Sequence, residues 1–425
     1  MSTNETAPAQ SGAAPGRQLL GPARTLLAIN ALFWAADGLC AIFVNIYLWR
    51  VQREFPVLLR YNLSCWLTIP AFILLAGWLS QARDRTWALR IGLALHALFY
   101  MSLLWLRESA VAHVIPLGVV LGVAMGFYYA GLHTLTFDVT AQGERDYYVG
   151  LSSFTSGITG AVAPFAAGAV IGLATGLRGY VMVFALAVVL YVLAFAMSLR
   201  LPPDREPRPF RLRAALLPPR EHKDWRLVMA LWAVFGGRFG IFMFIVGLLM
   251  YMASGSEMVV GGYSLVTGAI RIFGSLVVGR AVTPARRLPF MLLGALSATA
   301  AGLIMLGPIN LPVVWAFGIM LAVSTPLFSI PSSAIQLDVI GRTAAEPSQR
   351  VEYVCAREVP LVIGRVMYLA VLWSLYDLLT KNLLGLRIAV CLTAATALLG
   401  YLLMSRISFV REEAARERSA PASPE

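Results

Sequence analysis

Apolar residues in this chain come in long unbroken runs separated by short polar stretches, not in the alternation of a half-buried strand or the one-sided stripe of a surface helix. Crossing the hydrocarbon core of a bilayer takes about 20 apolar residues in a helix, each adding about 1.5 Å of rise. Twelve windows reach that length: 25–49, 57–80, 88–106, 114–137, 149–173, 181–199, 227–252, 259–282, 288–307, 312–337, 353–377 and 386–405. The pattern predicts an all-α membrane protein of twelve transmembrane helices. One connection is long: Arg200 to Arg226 holds eight Lys/Arg and six prolines. It reads as a basic cytoplasmic linker (200–226) between two six-helix bundles (25–199 and 227–405), with polar tails at 1–24 and 406–425. The first 16 residues are rich in Ser, Ala, Pro and Gly and lack a basic start and a short apolar core, so they read as a disordered tail and not a cleaved signal.

Composition agrees. Only 13% of residues are charged and 59% are hydrophobic, whereas soluble chains carry roughly a quarter charged residues; a water-exposed globule is excluded. Cys40, Cys65, Cys355 and Cys391 lie within or beside apolar runs at no metal-ligand spacing. The formal charge of +12 does not point to nucleic acid, because the basic residues cluster in short loops between the runs. With the N-terminus inside, 23 basic residues fall on the cytoplasmic side and seven opposite, which places both termini in the cytoplasm of a plasma membrane. Arg50, Arg53 and Arg60 resist this reading, since they fall outside.

The halves echo each other at an offset of about 200 residues, the self-similarity of a duplicated fold. Phe137-Asp138-Val139 closes the fourth window as Leu337-Asp338-Val339 closes the tenth. Gly77 precedes Arg83 and Arg85 as Gly279 precedes Arg286 and Arg287, and Asp37-Gly38 falls opposite Gly237-Arg238. Parallel repeats holding a solute between them at the midplane are a recurrent transporter design. At these residues the chain resembles the major facilitator superfamily in layout. The superfamily's loop between helices 2 and 3 is matched here at Gly77, Leu79 and Arg85, with Gln81 where an Asp is usual and Asp84 where a Gly is usual. The resemblance implies two parallel six-helix bundles, alternating access, and gating-loop roles for Gly77, Arg83, Asp84, Arg85, Asp138, Gly279, Arg286, Arg287 and Asp338. It also implies a central cavity lined by helices 1, 4, 7 and 10.

An ionised side chain at the bilayer centre costs about 2.5–3.5 kcal/mol on insertion scales, so one that persists there faces a cavity or a partner. Asp37, Arg238, Arg271 and Arg365 fall near mid-depth and Glu358 nearer the cytoplasmic end of its window. Two readings stand: an anion site, since guanidinium forks bind carboxylate or phosphate bidentately, or structural bridges between helices. Asn30, Trp34, Asp37, Ala41 and Asn45 share one stripe of the first helix. Tyr129 and His133 lie on a stripe of the fourth and Gln336 on one of the tenth, as cavity lining or as glue between helices. Proton coupling needs a titratable group within reach of both sides; Asp37 comes first, then Glu358, then His133. Gly160, Pro164, Gly168, Gly172 and Gly176, recurring every four residues, predict a close-approach seam on helix 5, and Gly236, Gly237, Gly240, Pro326 and Pro331 predict bends beside the site.

The expected function is proton-coupled secondary transport of a small organic solute, with anions among the candidates. Efflux of a drug or lipid, a non-transporting sensor on the same scaffold, and an integral-membrane enzyme are the alternatives. No GxxxxGK[ST] element is present, so ATP does not drive it. With four histidines at no ligand spacing, no metal, cofactor or catalytic residue is expected. The expected partners are the solute and the lipid bilayer, with no nucleic acid and no obligatory protein partner, the chain acting as a monomer.

Overall fold

The computed structural model describes residue 19 and residues 21–82, 84–139, 145–203, 216, 218, 221–343, 352–353, 356–378 and 383–410. Twelve long α-helices run through them: α1 (Gly21–Val51), α2 (Phe55–Ala82), α3 (Arg85–Leu106), α4 (Val114–Val139), α5 (Arg145–Leu173), α6 (Arg178–Ser198), α7 (Lys223–Ser254), α8 (Glu257–Ala281), α9 (Arg287–Ile304), α10 (Leu311–Thr343), α11 (Glu358–Leu378) and α12 (Leu383–Met404). Each falls on one apolar window, and most extend into the polar flanks until a cap stops them. Ten stretches are long and apolar enough to cross a membrane, one of which, Arg85–Thr136, runs through α3, a 3-10 turn and α4. Among the described residues α7 adds a shorter apolar piece, Phe244–Ser254.

Helix ends follow local chemistry. Asp84 caps α3, its Oδ1 accepting from the Thr86 amide and hydroxyl at 2.9 Å each. Gly255, at φ 66°, ends α7 in the left-handed conformation that costs glycine least, and the Ser256 hydroxyl then accepts from the Val259 amide to start α8. Pro326 and Pro331, expected to interrupt α10, lie inside one continuous helix; at membrane depth, neighbouring helices and side chains re-satisfy the freed backbone groups. Gly176 lies past the end of α5, in the turn before α6. The expected C-terminal tail begins with a docked segment: Ile407, Phe409 and Val410 are buried, and Asp224 of α7 accepts from the Ser408 amide at 3.0 Å.

The same packing plan appears twice. In the first half α2 and α3 lie along α4, α3 also along α6, and α1 against α5 and α6; in the second, α8 and α9 lie along α10, α9 along α12, and α7 against α11 and α12. The halves meet where α5 crosses α8, α2 crosses α11 and α1 crosses α7. Shifting the helix numbers by six exchanges the first two contacts, which is the mark of a pseudo-twofold axis. Large apolar side chains face outward, Trp105 at 84% and Phe273 at 69% exposure among them. Water would oppose such a surface and lipid accepts it. Inside the first half Phe33 stacks on Tyr128 at 3.5 Å, with His96 edge-on to Phe33 at 5.1 Å.

In the second half α7 and α11 approach closely at two glycines. A Cβ at Gly236 would meet the Leu361 carbonyl, and one at Gly364 would meet the Ala233 carbonyl, so neither backbone has room to yield. Overpacking a tight site costs about 1–3 kcal/mol. Gly364→Val is expected to lower the melting temperature of the detergent-purified protein by several degrees, while Gly262→Ala, which faces open space, leaves it unchanged; equal melting of the two variants would contradict this packing.

Candidate functional site

Asp37 sits at the middle of α1, only 9% exposed, with no hydrogen bond or ion pair among the described residues. The polar stripe to which it belongs divides in two. Its ends are glue: Asn30 Nδ2 donates to Ser152 Oγ at 2.7 Å and Asn30 Oδ1 accepts from Tyr128 Oη at 2.9 Å, joining α1, α4 and α5. Asn45 Oδ1 accepts from Asn62 Nδ2 at 2.8 Å, joining α1 to α2. Trp34 is half-buried, edge-on to Phe33 at 5.8 Å. Asp37 alone is left uncommitted, because the neighbours around it are aromatic rings and small residues such as Thr159 and Ala163, which pack on Gly38.

The expected arginines do not gather around it. Arg238 donates to Ser324 Oγ at 3.3 Å on α10 and lies 6.0 Å from the Phe328 ring centre, so it is bound within the second half. Arg271 is exposed and has no ion-pair partner among the described residues. Gln336 donates to Ser332 on its own helix at 3.0 Å. Arg365 is different. It reaches from α11 across the interface to lie 5.9 Å from the Trp66 ring centre on α2, and its Nε is buried with no hydrogen-bond partner. Seven residues earlier, Glu358 lies 3.5 Å from Arg357 Nε, and Arg357 packs on Trp232 at 4.7 Å. Tyr129 of α4 joins the two sides, being within electrostatic reach of Asp37, Arg365 and Glu358. Its ring lies roughly parallel to that of His133, 6.4 Å away. Arg365 therefore lies in the space between the halves where α11 meets α2, while Asp37 is buried along α1.

That space is closed on one side. Where α1 ends and α8 begins, Arg50 Nη1 lies 2.8 Å from Glu257 Oε1, and Tyr180 Oη of α6 donates to the same oxygen at 2.9 Å. The Arg50 guanidinium is also 5.9 Å from the Tyr180 ring centre. Directly behind, a Cβ at Gly168 on α5 would meet the Glu257 carbonyl, and one at Gly261 would meet Pro164 and Phe165. Of the expected seam, Pro164, Gly168 and Gly172 lie where α5 crosses α8 between the halves, whereas a Cβ at Gly160 would have no neighbour within 4 Å and Gly176 lies beyond α5. A Cβ at Gly150 or Gly279 would likewise have no neighbour within 4 Å. The halves are thus joined by a charged contact at the α1 end.

Among the gating-loop residues, Arg287 Nη1 pairs with Asp338 Oδ2 at 2.7 Å, joining the loop before α9 to α10. Asp84 is the α3 cap, Arg85 and Gly77 are buried, and Arg286 and Gly279 are exposed. Arg83 and the side chain of Asp138 lie outside the described residues. Glu257 and Tyr180 carry no sequence motif. Their one signal was Arg50, a charge on the basic-poor side that called for a carboxylate opposite it.

Residues 62–346 match the family model of the Major Facilitator Superfamily. The chain is 30% identical over 392 residues to the uncharacterized protein YqgE of Bacillus subtilis, covering 92% of this chain and 91% of that protein. A second relative, an uncharacterized protein in the sodM 3' region of Geobacillus stearothermophilus, is 35% identical over 159 residues, which is 37% of this chain and 74% of that one. Among solved structures, the crystal structure of the nucleoside transporter NupG superposes with a TM-score of 0.67 at 11% identity, covering 91% of this chain and all of the other. At that identity the likeness is one of fold.

Hydrogen bonds to a charged group are worth about 1.5–3 kcal/mol. Glu257→Gln is therefore expected to open the closed side by roughly one order of magnitude in population or more, read as a longer distance distribution between spin labels at positions 53 and 256; an unchanged distribution would show that the Arg50 to Glu257 contact does not hold the halves.

Proposed function

Because the chain belongs to the Major Facilitator Superfamily, a family of multi-pass membrane transporters, we propose that it is a secondary active transporter that carries a small organic solute by alternating access, with Asp37 as the proton-coupling carboxylate. The solute site is the space between the halves. The single observation that carries this reading is the state of Asp37: a carboxylate in mid-helix, nearly buried, and without a hydrogen bond or ion pair among the described residues. A structural carboxylate at that depth would be bridged. One left free has to gain and lose a proton, because burial disfavours the charged form and an approaching cation favours it.

The surrounding geometry fits a rocking cycle. Basic residues concentrate on the side where α1 begins, which makes that side cytoplasmic by the positive-inside rule. The Arg50, Glu257 and Tyr180 contacts then close the outer side of a plasma-membrane protein. Glu257 bonds both Arg50 of α1 and Tyr180 of α6, so it is the group that must be released for the outer side to open. The glycines where α5 crosses α8 let the backbones approach closely there. Arg287 and Asp338 join the inner ends of α9 and α10 within the second half, keeping that half rigid while it moves. The relative NupG is a nucleoside transporter, which places nucleosides among the solutes to be screened.

In proteoliposomes under an imposed pH gradient, a screen of labelled sugars, nucleosides, amino acids and organic acids is expected to find a solute accumulated against its gradient. Asp37→Asn should hold that solute at equal concentrations inside and out while leaving counterflow intact. Uphill accumulation by the variant at the wild-type level would remove Asp37 from the mechanism.

A further inference from the structure

We infer that the second half carries a binding site for a phosphate-bearing anion, in a cavity of about 830 Å³ at the end of the bundle where α7 begins. The site lies wholly within that half, away from the space between the halves, and does not depend on what the protein transports. Three stretches of chain wall it. Lys223 and Arg226 come from the start of α7, Arg342 from the end of α10, and Arg406 from the segment that follows α12.

The walls are fixed to one another. Asp224 of α7 holds the segment after α12, its Oδ1 accepting from the Ser408 amide at 3.0 Å and its Oδ2 from the Ser408 hydroxyl. Phe409, next in the chain and buried, brings its ring to 3.9 Å from the Arg342 guanidinium and so ties the same segment to α10. Trp225, which also lines the cavity, is fully buried, with Tyr353 edge-on at 4.8 Å. Trp225, Ile340, Ile407 and Phe409 belong to one apolar cluster, so the cations stand on a packed base and not on free loops.

Charge decides the class of ligand. Four cations line the cavity against two carboxylates, Glu221 and Asp224, and both Asp224 oxygens are taken by Ser408. Lys223, Arg226, Arg342 and Arg406 are in no ion pair among the described residues. Like charges held together repel, so a ligand that brings negative charge relieves the arrangement. Phe409 takes up the face of the Arg342 guanidinium without using its N–H groups, which stay free to donate in plane. Guanidinium forks bind phosphate oxygens in pairs, and an ammonium adds a point charge. A carboxylate has two oxygens to offer; a phosphate has enough to reach more than one wall. Ligand cavities run to about 300–1,000 Å³, so this one has room for the phosphate and the group it is esterified to. Two sources offer that chemistry here: the headgroup of a phospholipid, since basic pockets at helix ends meet the membrane surface, and a soluble phosphate ester.

The test uses the full-length protein, stripped of lipid in detergent and held at constant ionic strength, with two arms. In the first, glycerol 3-phosphate is compared with glycerol; in the second, mixed micelles carry phosphatidylglycerol or diacylglycerol. At least one phosphate compound is expected to raise the melting temperature while its phosphate-free partner does not. Stabilisation by glycerol 3-phosphate assigns the site to a soluble ester, and stabilisation in the lipid arm alone assigns it to a phospholipid. Arg342→Gln and Arg406→Gln should each weaken the apparent Kd about tenfold. Thr343→Trp, which fills the cavity and leaves the charge unchanged, should weaken it as well. Arg280→Gln removes an exposed charge outside the cavity and should leave the Kd as it is. The ligand-free melting temperature shows whether each variant is folded; if Arg342→Gln or Thr343→Trp is not, Arg226→Gln and Arg406→Gln, at exposed positions, carry the comparison with Arg280→Gln. Stabilisation in neither arm, or equal stabilisation by a phosphate-free partner, would overturn the inference. A folded Thr343→Trp that binds as the wild type does, or an Arg280→Gln as weakened as Arg406→Gln, would overturn it too, since general surface charge would then account for the binding.

Discussion

A bilayer offers no water to a polar group, and the structure is organised by that restriction. Helices satisfy their own backbone, which is why twelve of them, with no strand among the described residues, carry the fold. Side chains at depth obey the same rule almost everywhere. Asn30, Asn45, Arg238 and many serine and threonine hydroxyls find a partner within their own half or on their own helix. Asp37 has no hydrogen bond or ion pair among the described residues, and the Arg365 Nε, like His96 Nε2, Tyr191 Oη and Ser80 Oγ, is buried without a hydrogen-bond partner. A carboxylate left without a partner at that depth is costly, which is why Asp37 carries the functional proposal.

The duplicated plan explains how the space between the halves is opened and shut. Each half packs as a unit, held by crossings such as α7 on α11, where carbonyls fill the room a Cβ would need. Between the halves the contacts are of another kind: small residues where α5 crosses α8, and one charged contact from Arg50 and Tyr180 onto Glu257 at the closed side. Rocking would have to rearrange the crossings of α5 with α8, α2 with α11 and α1 with α7 while each half moves as a unit. Arg50, the residue that fits the charge bias least, is explained by this contact, since its charge is matched by a carboxylate from the other half.

Much of the architecture was legible in the chain. Window length fixed the helices because the thickness of a membrane sets a hard minimum on an apolar run. The offset of about 200 residues was readable because Asp138 and Asp338, or Gly77 and Gly279, hold corresponding places. The stripe on α1 was readable from spacing, but its division was not. Spacing places Asn30, Asp37 and Asn45 on one face, and only the positions of Tyr128, Ser152 and Asn62 determine which of them is already bonded. Prolines were overread for the same reason: Pro326 and Pro331 break a helix in water, and in α10 the neighbouring helices make up the loss.

By itself, then, the sequence determined the class, the helix count, the doubling and the choice of Asp37 as the residue to watch. These follow from hydropathy and period, which are local properties of the chain. The tertiary structure decided which charges are paired. It withdrew Arg238 into a bond with Ser324, set Glu358 beside Arg357, brought Arg365 to Trp66 across the interface, and produced a lock from Arg50, Tyr180 and Glu257 that no motif announces. Pairing depends on distances of a few ångströms between residues as far apart in the chain as Trp66 and Arg365, and such distances exist only once the helices are packed.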